Sequence, residues 1–165
     1  MLAALSALVP PSVIQRAVAR VPTGRRAPRP AREVLADLDA ARLPAPVARI
    51  ARRILQRLMW AESRAHRCAP RDVVLHQLGR PAALATLVGV AAGIAHVRPR
   101  QIFASPLLLG RRWQDHDGRW RNAVAPAVRI LTAGWPVRVS RRRVEYTTPM
   151  GAAIVTALAH PVFNP

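Results

Sequence analysis

Three side chains near the middle of the sequence could together bind a divalent metal ion: Glu62, His66 and His76. Glu62 and His66 are four residues apart, a spacing that brings two side chains to one face of a helix. His76 follows a turn and a short strand, so the chain could fold back and bring it near the other two. Imidazole and carboxylate ligands suit nickel or zinc. The alternative is an ordinary exposed helix pair and an unrelated strand histidine, and spacing alone favours that alternative.

Other reactive or polar side chains are weaker candidates. Cys68 could add a thiolate, although one cysteine without a second Cys–His pair is more typical of a small buried residue. His116 lies beside an Asp-Gly pair in "WQDHDGRW" and could approach a ligand from a loop. Thr148 and Gly151 offer a hydroxyl and a free amide at a helix start, which suits an anion or simple capping. The arginines at 141–143 could clamp a phosphate, or could end a solvated strand.

The composition limits the class of protein. A chain of 165 residues, 51% of them hydrophobic, is long enough for one domain with a substantial core. Its single cysteine excludes an internal disulfide, and no positive charge precedes the apolar start, which is a poor secretory signal. We therefore expect a cytoplasmic location. The longest apolar run, 81–95, is shorter than the roughly 20 residues that span a bilayer, so no membrane anchor is predicted.

The net charge of +18 comes from arginine alone, because the 26 basic residues include no lysine. Such a bias is typical of a GC-rich coding sequence, and the arginines are spread along the chain. The charge favours adsorption to nucleic acids and other polyanions at low salt, whatever its origin. A dedicated nucleic-acid site would also need aromatic stacking residues or a recognised motif, and the sequence shows neither.

Hydrophobic periodicity predicts the elements that would position these side chains. The clearest helix covers 47–67, where apolar residues recur at helical spacing. Further helices are predicted at 12–20, 31–41, 81–96, 125–132 and 149–159, with strands at "DVVLH", "QIFAS", "PVRV" and "RVEYT" and a hairpin at "WQDHDGRW". The expected fold is α+β, with a small mixed sheet packed against several helices. Residues 1–30 are basic and proline-rich and are predicted to be a flexible lead-in, followed by a single domain over 31–165.

Four segments along 33–160 match motifs of one known family: "RILQRLMWAESRAHR", "VVLHQLG", "ASPLLLGRR" and "TTPMGAAIVTALA". Together they resemble the LarC family of nickel-insertion proteins. The first resembles the family's Leu, Ala-Glu-Ala and Val-His-Gly pattern, with Glu62 and His66 at matching positions. The second resembles V-H-F-H-E-V-G-A, with His76 at the second histidine and Gln77 in place of the glutamate.

The other two segments resemble the family further along the chain. "ASPLLLGRR" is similar to A-S-P-L-P-L-G-R-G and includes Gly110. "TTPMGAA" is similar to T-P-T-G-A-A, through Thr148 and Gly151. "APAV" at 125–128 resembles the end of the family's H-G-x-L-P-V-P-A-P-A-T, whose histidine only His116 or Asp117 could replace.

The resemblance implies a function in the biosynthesis of the nickel-pincer nucleotide cofactor. Complete family members use CTP, with magnesium or manganese, to insert nickel into a pyridinium dithiocarboxylate mononucleotide, a lyase or chelatase type of reaction. On this basis the candidate metal ligands are Glu62, His66, His76 and His116, and the candidate cofactor-binding residues are Thr148 and Gly151.

The departures from the family pattern are as informative as the matches. The family's D-S-I-x-D is replaced by "AALAT" at 82–86, and the family's carboxy-terminal half, associated with CTP use, has no counterpart here. Losing two acids removes about two negative charges from the implied metal site. We therefore expect a truncated, diverged member that retains weak nickel binding, does not catalyse insertion unaided, and could need a separate chain that supplies the missing half. The alternatives are an arginine-rich polyanion-binding module and an inactive remnant.

Overall fold

The computed structural model describes residues 8–22, 28–75, 81–114 and 116–163. Within these ranges the chain forms six helices: α1 (Pro11–Val18), α2 (Ala31–Ala40), α3 (Ala45–His66), α4 (Pro81–Val97), α5 (Pro126–Leu131) and α6 (Pro149–Leu158). All six lie within two residues of the predicted bounds. None of the described helices is both long enough and apolar enough to cross a membrane.

Short strands pair two by two. They are β1 (Arg29–Pro30), β2 (Val74–Leu75), β3 (Phe103–Ala104), β4 (Leu107–Leu109), β5 (Trp113–Gln114), β6 (Trp120–Arg121), β7 (Val137–Val139) and β8 (His160–Pro161). β1–β2 and β5–β6 are antiparallel, whereas β3–β8 and β4–β7 are parallel. The predicted α+β class is confirmed, with the strands arranged as four separate pairs.

The chain divides into two compact units, residues 1–100 and 101–165. In the first unit α3 and α4 pack together, and α3 buries most of the apolar stripe that predicted it, including Ile54 at 0% and Leu58 at 3% exposure. Burying side chains of this size contributes about 2 kcal/mol each. α4 has no polar face over most of its length, since small and β-branched residues such as Val88 and Ala91 are fully buried.

Arg29, just before α2, forms ion pairs with two carboxylates of that helix. Its guanidinium donates to Asp37 at 2.5 Å and to Glu33 at 3.3 Å, and its side chain is only 7% exposed. The hydrogen bond to Asp37 is the main reason why the pKa of Arg29 is raised above its usual value. The Ala31 amide also donates to the Val73 carbonyl, so the β1–β2 pair and this ion pair together fix the chain entering α2.

The segment before α2 is more structured than the predicted lead-in. Within 8–22, helix α1 packs against α4 and buries Ala17, with Val9 and Val21 buried on either side. The short helix predicted at 12–20 is thus present at Pro11–Val18. Helix α1 belongs to the core because it buries one apolar face. The number of prolines and arginines in this segment does not reveal that face. The division of the chain at residue 30 stays a prediction.

The second unit contains the parallel strand pairs. β4 runs beside β7 with Leu107 opposite Val137, and β3 runs beside β8 with Phe103 opposite His160. The hairpin predicted in "WQDHDGRW" is confirmed as β5–β6, with Gly118 at φ +74° in its turn. The strand predicted at "RVEYT" is wrong, because residues 143–147 run as an irregular segment.

Candidate functional site

The predicted pair of Glu62 and His66 comes together in the last turns of α3. The Glu62 Oε2 and His66 Nε2 atoms are 3.7 Å apart, which is an ion-pair contact and too long for a hydrogen bond. Two ligand atoms on one tetrahedral or octahedral metal lie about 3.0 to 3.4 Å apart, so a small rotamer change would bring this pair into ligating geometry. The His66 side chain is 52% exposed and that of Glu62 20%, so a metal ion could reach both. The negative end of the α3 dipole also favours a cation here.

The residue after His66 has a backbone conformation that favours glycine. Arg67 has φ +54°, in the left-handed region, and its amide donates to the Ser63 carbonyl, which closes the helix end. The family pattern has glycine at this position. The motif's glycine is therefore explained by the turn that leads the chain out of the helix. Cys68, predicted to be a small buried residue, is instead exposed immediately after this turn.

This conformation yields a testable prediction about stability. Arg67→Gly should stabilise the chain by about 1 kcal/mol, because a left-handed conformation strains a residue with a Cβ atom and does not strain glycine. The change is measured as a shift in the midpoint of chemical unfolding. Arg53→Gly, in the exposed interior of the same helix, is the matched control and should cost about 1 kcal/mol. A loss of stability in Arg67→Gly would show that the arginine side chain outweighs the backbone strain.

His76 and Gln77 lie outside the described residues, so the predicted meeting of His76 with His66 stays a prediction. His116 is 90% exposed in the β5–β6 hairpin, with its Nε2 atom 3.3 Å from Asp117 Oδ1. Among the residues that the structure describes, no three histidine, cysteine or carboxylate side chains form a cluster that could hold a metal ion. The described part of the candidate site is therefore the Glu62–His66 pair.

The two positions where the family carries acids lie in the first turns of α4. Ala82 is exposed and Thr86 is half-buried. The Thr86 hydroxyl donates to the Ala82 carbonyl at 2.8 Å, so it serves the helix backbone. Neither residue can offer a carboxylate, and the helix start therefore lacks the negative charge that the family motif provides there.

Thr148 and Gly151 form a helix cap in the second unit. The Thr148 Oγ1 atom accepts a hydrogen bond from the Gly151 amide at 3.1 Å, and Pro149 occupies the first turn of α6. The adjacent Thr147 hydroxyl donates to the Leu108 carbonyl at 2.7 Å. The motif that contains both threonines is thus joined to β4, which lies in the "ASPLLLGRR" motif. Capping accounts for the threonine and glycine, and cofactor binding by Thr148 and Gly151 stays a prediction.

Gly110, in the "ASPLLLGRR" motif, marks a second close contact in the same unit, here with the irregular segment 143–147. A Cβ atom at this position would overlap the Val144 carbonyl oxygen and would lie 2.5 Å from Ala123 Cβ. The backbone of the irregular segment thus passes directly against Gly110, where only glycine fits. The sequence alone does not reveal this contact. The glycine in the motif is the one feature of the sequence that points to a close approach here.

Comparison with known proteins identifies the family of the chain. The family model described as "Nickel insertion protein" matches residues 8–165, and the chain belongs to that family. The match includes α1, which precedes the motifs discussed above.

Individual relatives show the same relationship. A pyridinium-3,5-bisthiocarboxylic acid mononucleotide nickel insertion protein from Nocardioides is 34% identical over 78% of this chain and 33% of its own length. Relatives from Syntrophobacter fumaroxidans and Roseiflexus castenholzii, whose names also describe nickel insertion, are 33% and 35% identical over 78% and 77% of this chain. The chain spans about a third of the length of these relatives. No solved structure matches it significantly.

Proposed function

We propose that this chain takes part in inserting nickel into a pyridinium-based mononucleotide during biosynthesis of the nickel-pincer cofactor. Family membership supports this proposal, and the Nocardioides relative is named for that substrate and metal. The observation that carries it at the residue level is the Glu62–His66 pair at the end of α3, at the positions that the family motif gives to glutamate and histidine. Nickel is here the substrate of the reaction.

In this proposal Glu62, His66 and His76 supply the first protein ligands to the incoming nickel ion. Two imidazoles and one carboxylate suit a borderline divalent cation. Arginines at this helix end weaken the site, because Arg67 directly follows His66 and Arg64 adds a further positive charge in the same turn. We therefore expect weak nickel binding by this chain. His116 remains a further candidate ligand, and a nickel titration of His116→Ala tests it in the same way.

Calorimetric titration of the full chain with nickel at neutral pH tests the ligand set. His66→Ala and His76→Ala should each weaken binding by about tenfold or more, since each removes one of few ligands. His160→Ala is the matched control, an exposed histidine in β8 that should leave the titration unchanged. Unchanged binding in both His66→Ala and His76→Ala would contradict the proposed site.

We also propose that complete insertion, with CTP and magnesium or manganese, requires the segments found in the other two thirds of the relatives' length, supplied by a separate chain. Exposed apolar side chains in the second unit support a partner there: Phe103 at 61%, Val139 at 66% and Phe163 at 65% exposure. Incubation with nickel, CTP and the mononucleotide should give no product with this chain alone. Product formation by this chain alone would overturn the requirement for a second chain.

A second candidate function, binding to a nucleic acid, rests on Trp60. This half-exposed ring has the Arg57 guanidinium 4.7 Å and the Arg64 guanidinium 5.8 Å from its centroid. A tryptophan between arginines suits a nucleic-acid surface, but here the ring is already engaged by its own helix. We expect the affinity for duplex DNA to fall by about a thousandfold between 50 and 200 mM salt, as simple adsorption does. Tight binding that persists at 200 mM salt and is lost in Trp60→Ala would favour the nucleic-acid function instead.

A further inference from the structure

The first unit contains a cleft that the nickel proposal does not use. It has a volume of about 620 Å³ and lies between α1, the start of α3 and the end of α4. This volume is in the range of small-molecule sites, about 300 to 1,000 Å³. The cleft forms because the end of α4 carries small side chains, among them Ala92 and Ala95, which leave space beneath α1.

The walls of the cleft are apolar. Ala17 from α1, Val47 from α3 and Ala92 from α4 all line it, and each is buried. Val13 and the two prolines at the start of α3 extend this surface. Such walls favour an uncharged hydrocarbon or aromatic group over a hydrated ion.

The polar lining of the cleft is cationic. Arg16, Arg20, His96 and Arg98 contribute to it, and none of its described lining residues is acidic. The Arg20 guanidinium is held in place by donating to the Arg42 carbonyl at 3.1 Å. The backbone of Arg98 is held at the helix end, where its amide donates to the Ile94 carbonyl at 3.0 Å. These arginines are exposed, so their side chains at the edge of an apolar wall complement a dianion attached to an apolar body.

We propose that this cleft binds a small phosphate monoester whose body is uncharged and apolar. The phosphate would be held by Arg16, Arg20 and Arg98, while the body packs against α1 and α4. The ring of a pyridinium bisthiocarboxylic acid mononucleotide carries a positive charge and two ionised acid groups, which these apolar walls would have to desolvate. The ligand is therefore distinct from the pyridinium mononucleotide of the proposed function, and the cleft would serve a second substrate or a regulator.

Titration of the full chain with 1-naphthyl phosphate, 1-naphthol and inorganic phosphate at 150 mM salt tests the proposal. We expect 1-naphthyl phosphate to bind about tenfold more tightly than either fragment, because only it engages both the walls and the arginines. Arg16→Gln combined with Arg98→Gln should weaken its binding about tenfold. Ala95→Phe, which fills the cleft, should abolish binding while unfolding at an unchanged midpoint.

The matched control is Arg49→Gln combined with Arg53→Gln, which removes two exposed arginines of α3 outside the cleft. It should leave the affinity for 1-naphthyl phosphate unchanged. Equal losses in the control and in the cleft double variant would overturn the proposal, since binding would then follow surface charge alone. The proposal would also be overturned if the wild-type chain and the control variant sedimented with phosphatidylglycerol vesicles while the cleft variants did not. The ligand of the cleft would then be a membrane surface. If Ala95→Phe fails to fold, the two arginine pairs decide the outcome.

Discussion

Replacing Gly110 by alanine is expected to destabilise the chain by about 3 kcal/mol. The added methyl group would overlap the Val144 carbonyl oxygen and would crowd Ala123 Cβ at 2.5 Å. Neither obstacle is the end of a flexible side chain, so the irregular segment beside Gly110 would have to move away. That movement would also disturb the Arg111 amide, which donates to the Arg142 carbonyl at 3.0 Å.

Gly134→Ala is the control that separates crowding from backbone conformation. Gly134 has φ +79°, and a methyl group added there would meet nothing within 4 Å, so this substitution should cost only the left-handed strain, about 1 kcal/mol. Both variants are compared by chemical unfolding of the full chain. If Gly110→Ala unfolds at the wild-type midpoint, the close approach between Gly110 and the irregular segment is not present in solution.

Restoring the family's acids should give the largest gain in nickel binding. The double variant Ala82→Asp with Thr86→Asp places two carboxylates on one face of α4, because the positions are four residues apart. Two negative charges close to a divalent cation strengthen binding substantially, and we expect affinity to rise about tenfold or more. The carboxylate added at position 82, in the first turn of α4, also favours folding through the helix dipole.

The control for this gain is Ala36→Asp with Ala40→Asp. These two alanines are both exposed on α2 and are also four residues apart, so the variant adds the same charge in the same spacing on another helix. Nickel affinity should change little in the control. An equal rise in both double variants would show that the gain comes from general charge and not from a site at the start of α4.

The sequence was sufficient to predict the helices because their cause is local. α3 repeats apolar residues at helical spacing, and α6 begins at a threonine followed by proline, which are signals within a few residues. The strands were harder: β2, β3 and β7 lie within predicted strands, whereas β1, β4 and β8 were not predicted, since each has only two or three residues and no periodicity to detect. "RVEYT" alternates as a strand should, yet the segment is held against Gly110 by a tertiary contact that local sequence does not encode.

The candidate site was predictable to the extent that its residues share one helix. Glu62 and His66 meet because a helix brings positions four apart together. The burial of Arg29 could not be predicted, because among 26 arginines only the folded chain shows which one lies next to Asp37. The same applies to the cleft beside α1, whose apolar residues are separated by long stretches of sequence and meet only through packing.

The central claim is that nickel is bound by the histidines at 66 and 76 together with Glu62. The most direct measurement is an anomalous diffraction map, collected at the nickel absorption edge, of crystals grown with nickel. We expect one peak about 2.1 Å from an imidazole nitrogen of His66, with His76 and a Glu62 oxygen in the same coordination shell. A peak bound elsewhere, with both imidazoles free of metal, would contradict it.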